Sequence, residues 1–93
     1  GRRIIVTPGL VELGEEQGVL NEEFGAHMAA CADIAILVGP NGPAMEAGLL
    51  SEDFPESCLI RVDTLAQATE KLPLYQEPGC VVLFENDLTD NYN

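Results

Sequence analysis

A parallel α/β domain, four strands with helices on both faces, is what this sequence predicts, and three observations carry it. Four short apolar runs recur along the chain: Ile4-Ile5-Val6, Ile34 to Val38, Cys58 to Val62 and Cys80 to Phe84. Three of the four are continuous and β-branched rather than alternating, the pattern of strands covered on both faces. Helical periodicity fills every interval between them, so the order reads β-α-β-α-β-α-β. Right-handed crossovers then require a parallel sheet with helices on its faces.

The first strand ends at Thr7-Pro8-Gly9, inside the segment VTPGLVELGEE that spans Val6 to Glu16. The residues from Leu10 to Gly14 bridge to a first helix expected from Glu16 to Ala32. Leu20, Phe24, Met28 and Cys31 recur there at intervals of four, four and three, which makes them its predicted buried face. Glu15 and Glu16 suit the positive end of its dipole. The second strand leaves through Gly39-Pro40-Asn41-Gly42, a strand-to-helix turn, into a helix starting near Pro43 with Asn41 or Gly42 as cap. Met45 and Leu49 share its buried face, and it breaks before Pro55. Arg61 interrupts the third run, so that strand should meet solvent at a sheet edge. The third helix runs from about Leu65 to Leu72, with Asp63 a candidate cap, Thr64 and Gln67 forming a capping box and Pro73 stopping it. Leu65, Ala68 and Leu72 form its apolar stripe. After the fourth strand, the acidic stretch Glu85 to Asn93 has little apolar surface.

The 93 residues make one domain, residues 1–93, long enough for a core without staples. Its net charge of −12 repels phosphate backbones and anionic lipid, which argues against nucleic-acid or membrane-surface partners. Cys31, Cys58 and Cys80 are isolated within or beside apolar runs and lie in no metal-ligand spacing, so buried reduced thiols in a cytoplasmic protein are expected. No apolar stretch approaches the ~20 residues of a membrane span. The abrupt start at Gly1-Arg2-Arg3, directly before a strand, reads as a piece excised from a longer protein. A sheet with one open edge could also let copies pair in isolation.

Open α/β sheets bind ligands beyond the carboxyl ends of their strands. Four loops meet there: Thr7-Pro8-Gly9 onward, Gly39 to Gly42, Asp63-Thr64 and Glu85-Asn86-Asp87. Neither GxxxxGK[ST] nor GxGxxG occurs, so a phosphate cradle is not expected. The edge offers carboxylates instead: Glu12, Glu15, Asp63, Glu85 and Asp87, suited to an ammonium group, a cation or a basic neighbouring domain. His27, the single histidine, reads as a surface or edge-of-core residue. The residues alone stop at an acidic α/β domain with an acidic loop edge.

With these elements in place, the chain resembles the C-terminal domain of the Mur ligases, the ATP-dependent amide ligases that build the peptidoglycan stem peptide. The resemblance rests on Arg3-Ile4-Ile5-Val6, on Leu13-Gly14 within VELGEE, and on Leu20-Asn21-Glu22-Glu23-Phe24-Gly25. It continues through Ile36-Leu37-Val38-Gly39 and Pro78-Gly79-Cys80-Val81-Val82-Leu83, and so spans essentially the whole chain. Within the family it is most similar to the MurF-type, D-alanyl-D-alanine-adding ligases that act on a UDP-N-acetylmuramoyl-tripeptide. Two departures stand out. Asn21 occupies a position where that type usually has histidine, and Glu85-Asn86-Asp87-Leu88-Thr89 replaces a usual Lys-Gly-Ser-Arg-Gly loop.

The resemblance implies a Rossmann-like, three-layer α/β/α domain that follows a substrate domain and a central ATPase domain in the same chain. The P-loop and Mg²⁺ ligands belong to the central domain, so this lobe would bind no cofactor alone, ATP and Mg²⁺ acting in the parent enzyme. Its implied partners are an amino acid or dipeptide and a UDP-muropeptide. It would be inactive alone and would close over the ATP site, helping to place the amine that attacks an acyl phosphate. The family's strand order sets the fourth strand beside the first, 4-1-2-3. The crevice where Thr7 to Glu12 meets Glu85 to Asp87 is then the expected contact with the amine or a facing domain. Thr7, Pro8, Gly9, Glu12, Asn21, Glu85, Asn86 and Asp87 are its candidate residues. The alternative is a stand-alone Rossmann-like domain that binds a ligand or a protein without catalysis. A phosphotransfer receiver fits poorly, since the first strand ends in Thr7-Pro8-Gly9 and the one lysine, Lys71, lies on a helix.

Overall fold

Four parallel strands form the centre of the domain, and the computed structural model describes residues 2–10 and 14–85. Strand β1 (Arg3–Thr7) leads, through a 3₁₀ turn at Gly14–Glu16, into α1 (Gln17–Cys31). Then follow β2 (Ile34–Val38), α2 (Gly42–Ser51), a 3₁₀ turn at Glu56–Cys58, β3 (Leu59–Val62), α3 (Leu65–Tyr75) and β4 (Val81–Phe84). The order across the sheet is β3-β2-β1-β4, the expected 4-1-2-3 seen from the opposite edge. Ile4 stands opposite Ile34 on one side of β1 and opposite Val82 on the other.

Alternation distributes the central strands between two apolar layers. Ile4, Val6, Ile34, Ile36 and Val38 face Ala68 and Leu72 of α3. Ile5, Ala35 and Leu37 face Met28, Met45, Leu49 and Phe54 on the α1 and α2 side. Both faces are thus apolar, which is why β1 and β2 read as unbroken hydrophobic runs.

The burial expected of β4 does not hold. Val81, Leu83 and Phe84 are 50%, 41% and 54% exposed. The strand lies at an edge, and three helices suffice to cover only the middle of the sheet. Arg61, by contrast, is exposed on the opposite edge strand, as its charge requires.

Helix α1 turns a different face inward from the one its apolar spacing marked. Asn21, Gly25 and Met28 are its buried residues, Leu20 and Phe24 are half-buried and Cys31 is exposed. The cause is the contact with α2. A Cβ on Gly25 would collide with the Met45 carbonyl oxygen, and one on Gly48 with the Glu22 carbonyl oxygen. The two backbones touch at these glycines, and the contact sets the rotation of α1. No thiol is fully buried either, since Cys58 and Cys80 are half-buried; all three cysteines are free.

Helix α3 also differs at its end. It continues through Pro73 to Tyr75, where the apolar ring packs against the core. Proline removes one hydrogen bond near the last turn, where few remain to be lost, and Gln76 N–H closes the helix on the Leu72 carbonyl at 3.0 Å. At its start Thr64, rather than Asp63, is the cap, accepting from Gln67 N–H at 3.2 Å. Gln67 Oε1 reaches back to Asp63 N–H at 2.6 Å, one residue beyond the usual capping-box partner.

Candidate functional site

Because every strand is parallel, the four exits lie along one edge: Thr7 onward, Gly39 to Gly42, Asp63-Thr64 and Glu85. The chain moves from β1 outward to β2 and β3, then crosses back to β4, so the topological switch falls between β1 and β4. This is where such sheets bind ligands. The two strands join tightly there, with Glu85 N–H donating to the Val6 carbonyl at 3.0 Å.

The loop leaving β1 is clamped from beneath. Thr7 is fully buried and its Oγ1 accepts from Gly9 N–H at 3.0 Å, turning the chain at once. Gly9 has φ +81°, and a Cβ on it would meet Asn21 Oδ1 and the Met45 side chain. Only glycine satisfies both the torsion and the space. Asn21, fully buried, accepts from Leu10 N–H at 2.7 Å and donates to the carbonyls of Leu10 at 2.8 Å and Gln17 at 2.9 Å. Asn41 Nδ2 donates to the carbonyls of Pro8 and Leu10, both at 3.2 Å, while its Oδ1 accepts from Gln17 Nε2 at 2.8 Å. Three side-chain amides from α1 and the β2 turn thus hold the β1 loop.

Of the candidate residues, the structure brings Thr7, Pro8, Gly9 and Asn21 together as this buried clamp. Their side chains shape the loop's backbone instead of reaching solvent. Glu85 is exposed at the end of β4. Glu12, Asn86 and Asp87 lie outside the described residues. Asn41 and Gln17 were missed by sequence reasoning, Asn41 being read as a cap. Its side chain makes no cap hydrogen bond and instead spans two loops. The available signal was Asn21 four residues after Gln17 and four before Gly25, a short amide in line with a glycine on one face of the helix.

Two open grooves reach the exits of the strands. One, of about 520 Å³, lies between the β2 and β3 exits and is lined by Gly39, Pro40, Pro43, Arg61, Val62 and Asp63. Its lining carries one cation and one acid, Arg61 and Asp63, and Arg61 Nε is paired with Glu46 Oε1 at 3.1 Å. The other, about 280 Å³, runs between α1 and β4 and ends at Glu85.

The β2 turn offers few main-chain donors to a phosphate group. In the β2 turn Gly42 N–H is committed to the Gly39 carbonyl at 3.2 Å, and Pro40 and Pro43 have no N–H to give a phosphate. Among the described residues no three His, Cys, Asp or Glu side chains are grouped to hold a metal. No helix among the described residues is long and apolar enough to cross a membrane.

No protein-family model and no curated protein matches the chain in sequence. Among solved structures, MurF from Acinetobacter baumannii superposes with a TM-score of 0.76 at 24% identity, over 95% of this chain and 20% of the MurF chain. The chain therefore spans about a fifth of the MurF chain it matches. What the match carries is the fold: the four-stranded parallel sheet with its three helices recurs within that Mur ligase, and this chain is a domain of Mur-ligase-like fold.

Proposed function

We propose that this chain is the C-terminal, amino-substrate-positioning and domain-closing lobe of an ATP-dependent amide ligase of peptidoglycan precursor synthesis. The MurF-type, D-alanyl-D-alanine-adding reaction is the nearest precedent. The observation that carries the reading is the superposition on MurF over 95% of this chain but 20% of that one, the relation of one lobe to a multidomain ligase. A clamped β1 loop at the switch point supports it, since closure needs a firm edge.

In this reading the lobe is inactive alone and works in the cytoplasm. ATP and Mg²⁺ are held by a central ATPase domain of the same parent chain. The lobe swings onto that domain, orients an amino acid or dipeptide toward an activated UDP-muropeptide carboxylate, and shields the acyl phosphate from water. Glu85, exposed at the β4 exit, would face the amine or basic residues of the central domain, and Asp87 follows it in the sequence.

Two experiments test this. An in-frame P-loop coded a few hundred codons upstream of Gly1 is expected, and a start codon beside Gly1 would argue against the ligase. In the full-length enzyme, Glu85→Gln with Asp87→Asn should raise KM for the amino substrate. Unchanged steady-state constants for both ATP and that substrate would remove the β1–β4 crevice from the mechanism.

A further inference from the structure

Strand β4 leaves main-chain hydrogen-bonding groups unused. Val81 N–H donates to the Arg2 carbonyl at 2.8 Å, and Glu85 N–H to the Val6 carbonyl. Residues 81, 83 and 85 therefore point their main-chain groups at β1, and the alternation of a strand points those of Val82 and Phe84 outward. Among the described residues no strand lies beyond β4. Natural sheet edges are usually blunted by lysine, proline, a bulge or an inward charge. Val81-Val82-Leu83-Phe84 carries none of these residues, and three of its four side chains are 41–54% exposed. Beside Leu83, the groove between α1 and β4 has an apolar floor of Ile5, Phe24 and Met28 and reaches Glu85 at one end.

We propose that the β4 edge is a strand-docking site for a basic, extended polypeptide segment. Main-chain pairing with Val82 and Phe84 would align the segment, as in other cases of strand addition. Its apolar side chain opposite Leu83 enters the groove, and a lysine or arginine two residues along meets Glu85. Charge selects this occupant. The chain has 16 acidic residues against four Lys and Arg, and Arg2 and Arg61 are already paired with Glu77 and Glu46. A second copy would bring another −12 to the same edge, whereas a basic segment is drawn to it. The site stands whether or not the domain belongs to a ligase.

The test uses this chain and the acetylated, amidated octapeptide KVTVKVTK, with amide hydrogen exchange read by NMR. Exchange at Val82 and Phe84 should slow by about tenfold or more at saturation. Higher salt, glutamate in place of the peptide's lysines, or methylation of its main-chain nitrogens should each abolish or weaken the effect. Leu83→Lys, at an already exposed position, should weaken binding by about tenfold. Absence of protection at both amides would overturn the proposal. So would equal protection by the acidic peptide, or protection that grows with protein concentration when no peptide is present, since the occupant would then be another copy.

Discussion

Asn21→Ala removes three hydrogen bonds from a fully buried side chain. The Leu10 carbonyl keeps its bond from Asn41, so the main orphan is the Leu10 N–H. The two bonds that Asn21 donates contribute about 1 kcal/mol each and the stranded donor costs about 1–3 kcal/mol, giving a total loss near 3–5 kcal/mol. That is a large part of the roughly 5–15 kcal/mol that holds such a domain together. Asn21→Asp is the sharper perturbation. It keeps the acceptor for Leu10 N–H but turns a second oxygen toward the carbonyls of Leu10 and Gln17, where a donor belongs. With no solvent at this site, the carboxylate is either ionised without a counter-charge or forced neutral. Its loss should equal or exceed that of Asn21→Ala despite the near-identical shape. Urea unfolding monitored by circular dichroism gives both values from the midpoint at an unchanged slope. Faster exchange of the Leu10 amide in both variants would locate the damage. An Asn21→Asp protein as stable as the parent would refute the clamp.

The helix crossing gives a second prediction: Gly25→Ala and Gly48→Ala should each lower stability by about 1–3 kcal/mol or more, because the clash is with backbone. Gly18→Ala, in the same helix as Gly25 but with open space around it, should raise the thermal midpoint through a gain of about 0.5–1 kcal/mol. Thr64→Ala removes the cap of α3 and should cost about 1 kcal/mol by denaturant midpoint, with Thr64→Ser near neutral. Pro73→Ala should stabilise the end of α3 by up to about 3 kcal/mol, seen as slower exchange from Leu72 to Gln76; no change there would show that the proline costs the helix nothing.

Strand identity was legible because β1 and β2 are buried on both faces, which leaves an uninterrupted apolar signal, whereas the order across the sheet came from the family resemblance. The same signal misled at β4. Cys80 to Phe84 is just as apolar, yet position in the sheet decides coverage, and that depends on which helices pack where. The face of α1 was misread for a related reason. Periodicity counts side chains, whereas this helix is seated by the side chain that Gly25 lacks. Pro73 followed propensity until the packing of Tyr75 outweighed it. At the candidate edge, sequence located the loops but not their fastening, because Asn21 and Asn41 act across 11 to 33 residues of separation.

Among the described residues, the side chains that fasten the β1 loop are carboxamides and a hydroxyl, groups that do not titrate near neutral pH. Asn21, Asn41, Gln17 and the Thr7 hydroxyl act there with main-chain amides, in a chain of net charge −12. Carboxamides neither gain nor lose protons across physiological pH, and salt has no ion pair to screen among them. Acid or high ionic strength will change how strongly the domain's rim attracts a cationic visitor. The platform beneath that rim should hold the same shape throughout, so attraction and geometry can vary independently in this fold.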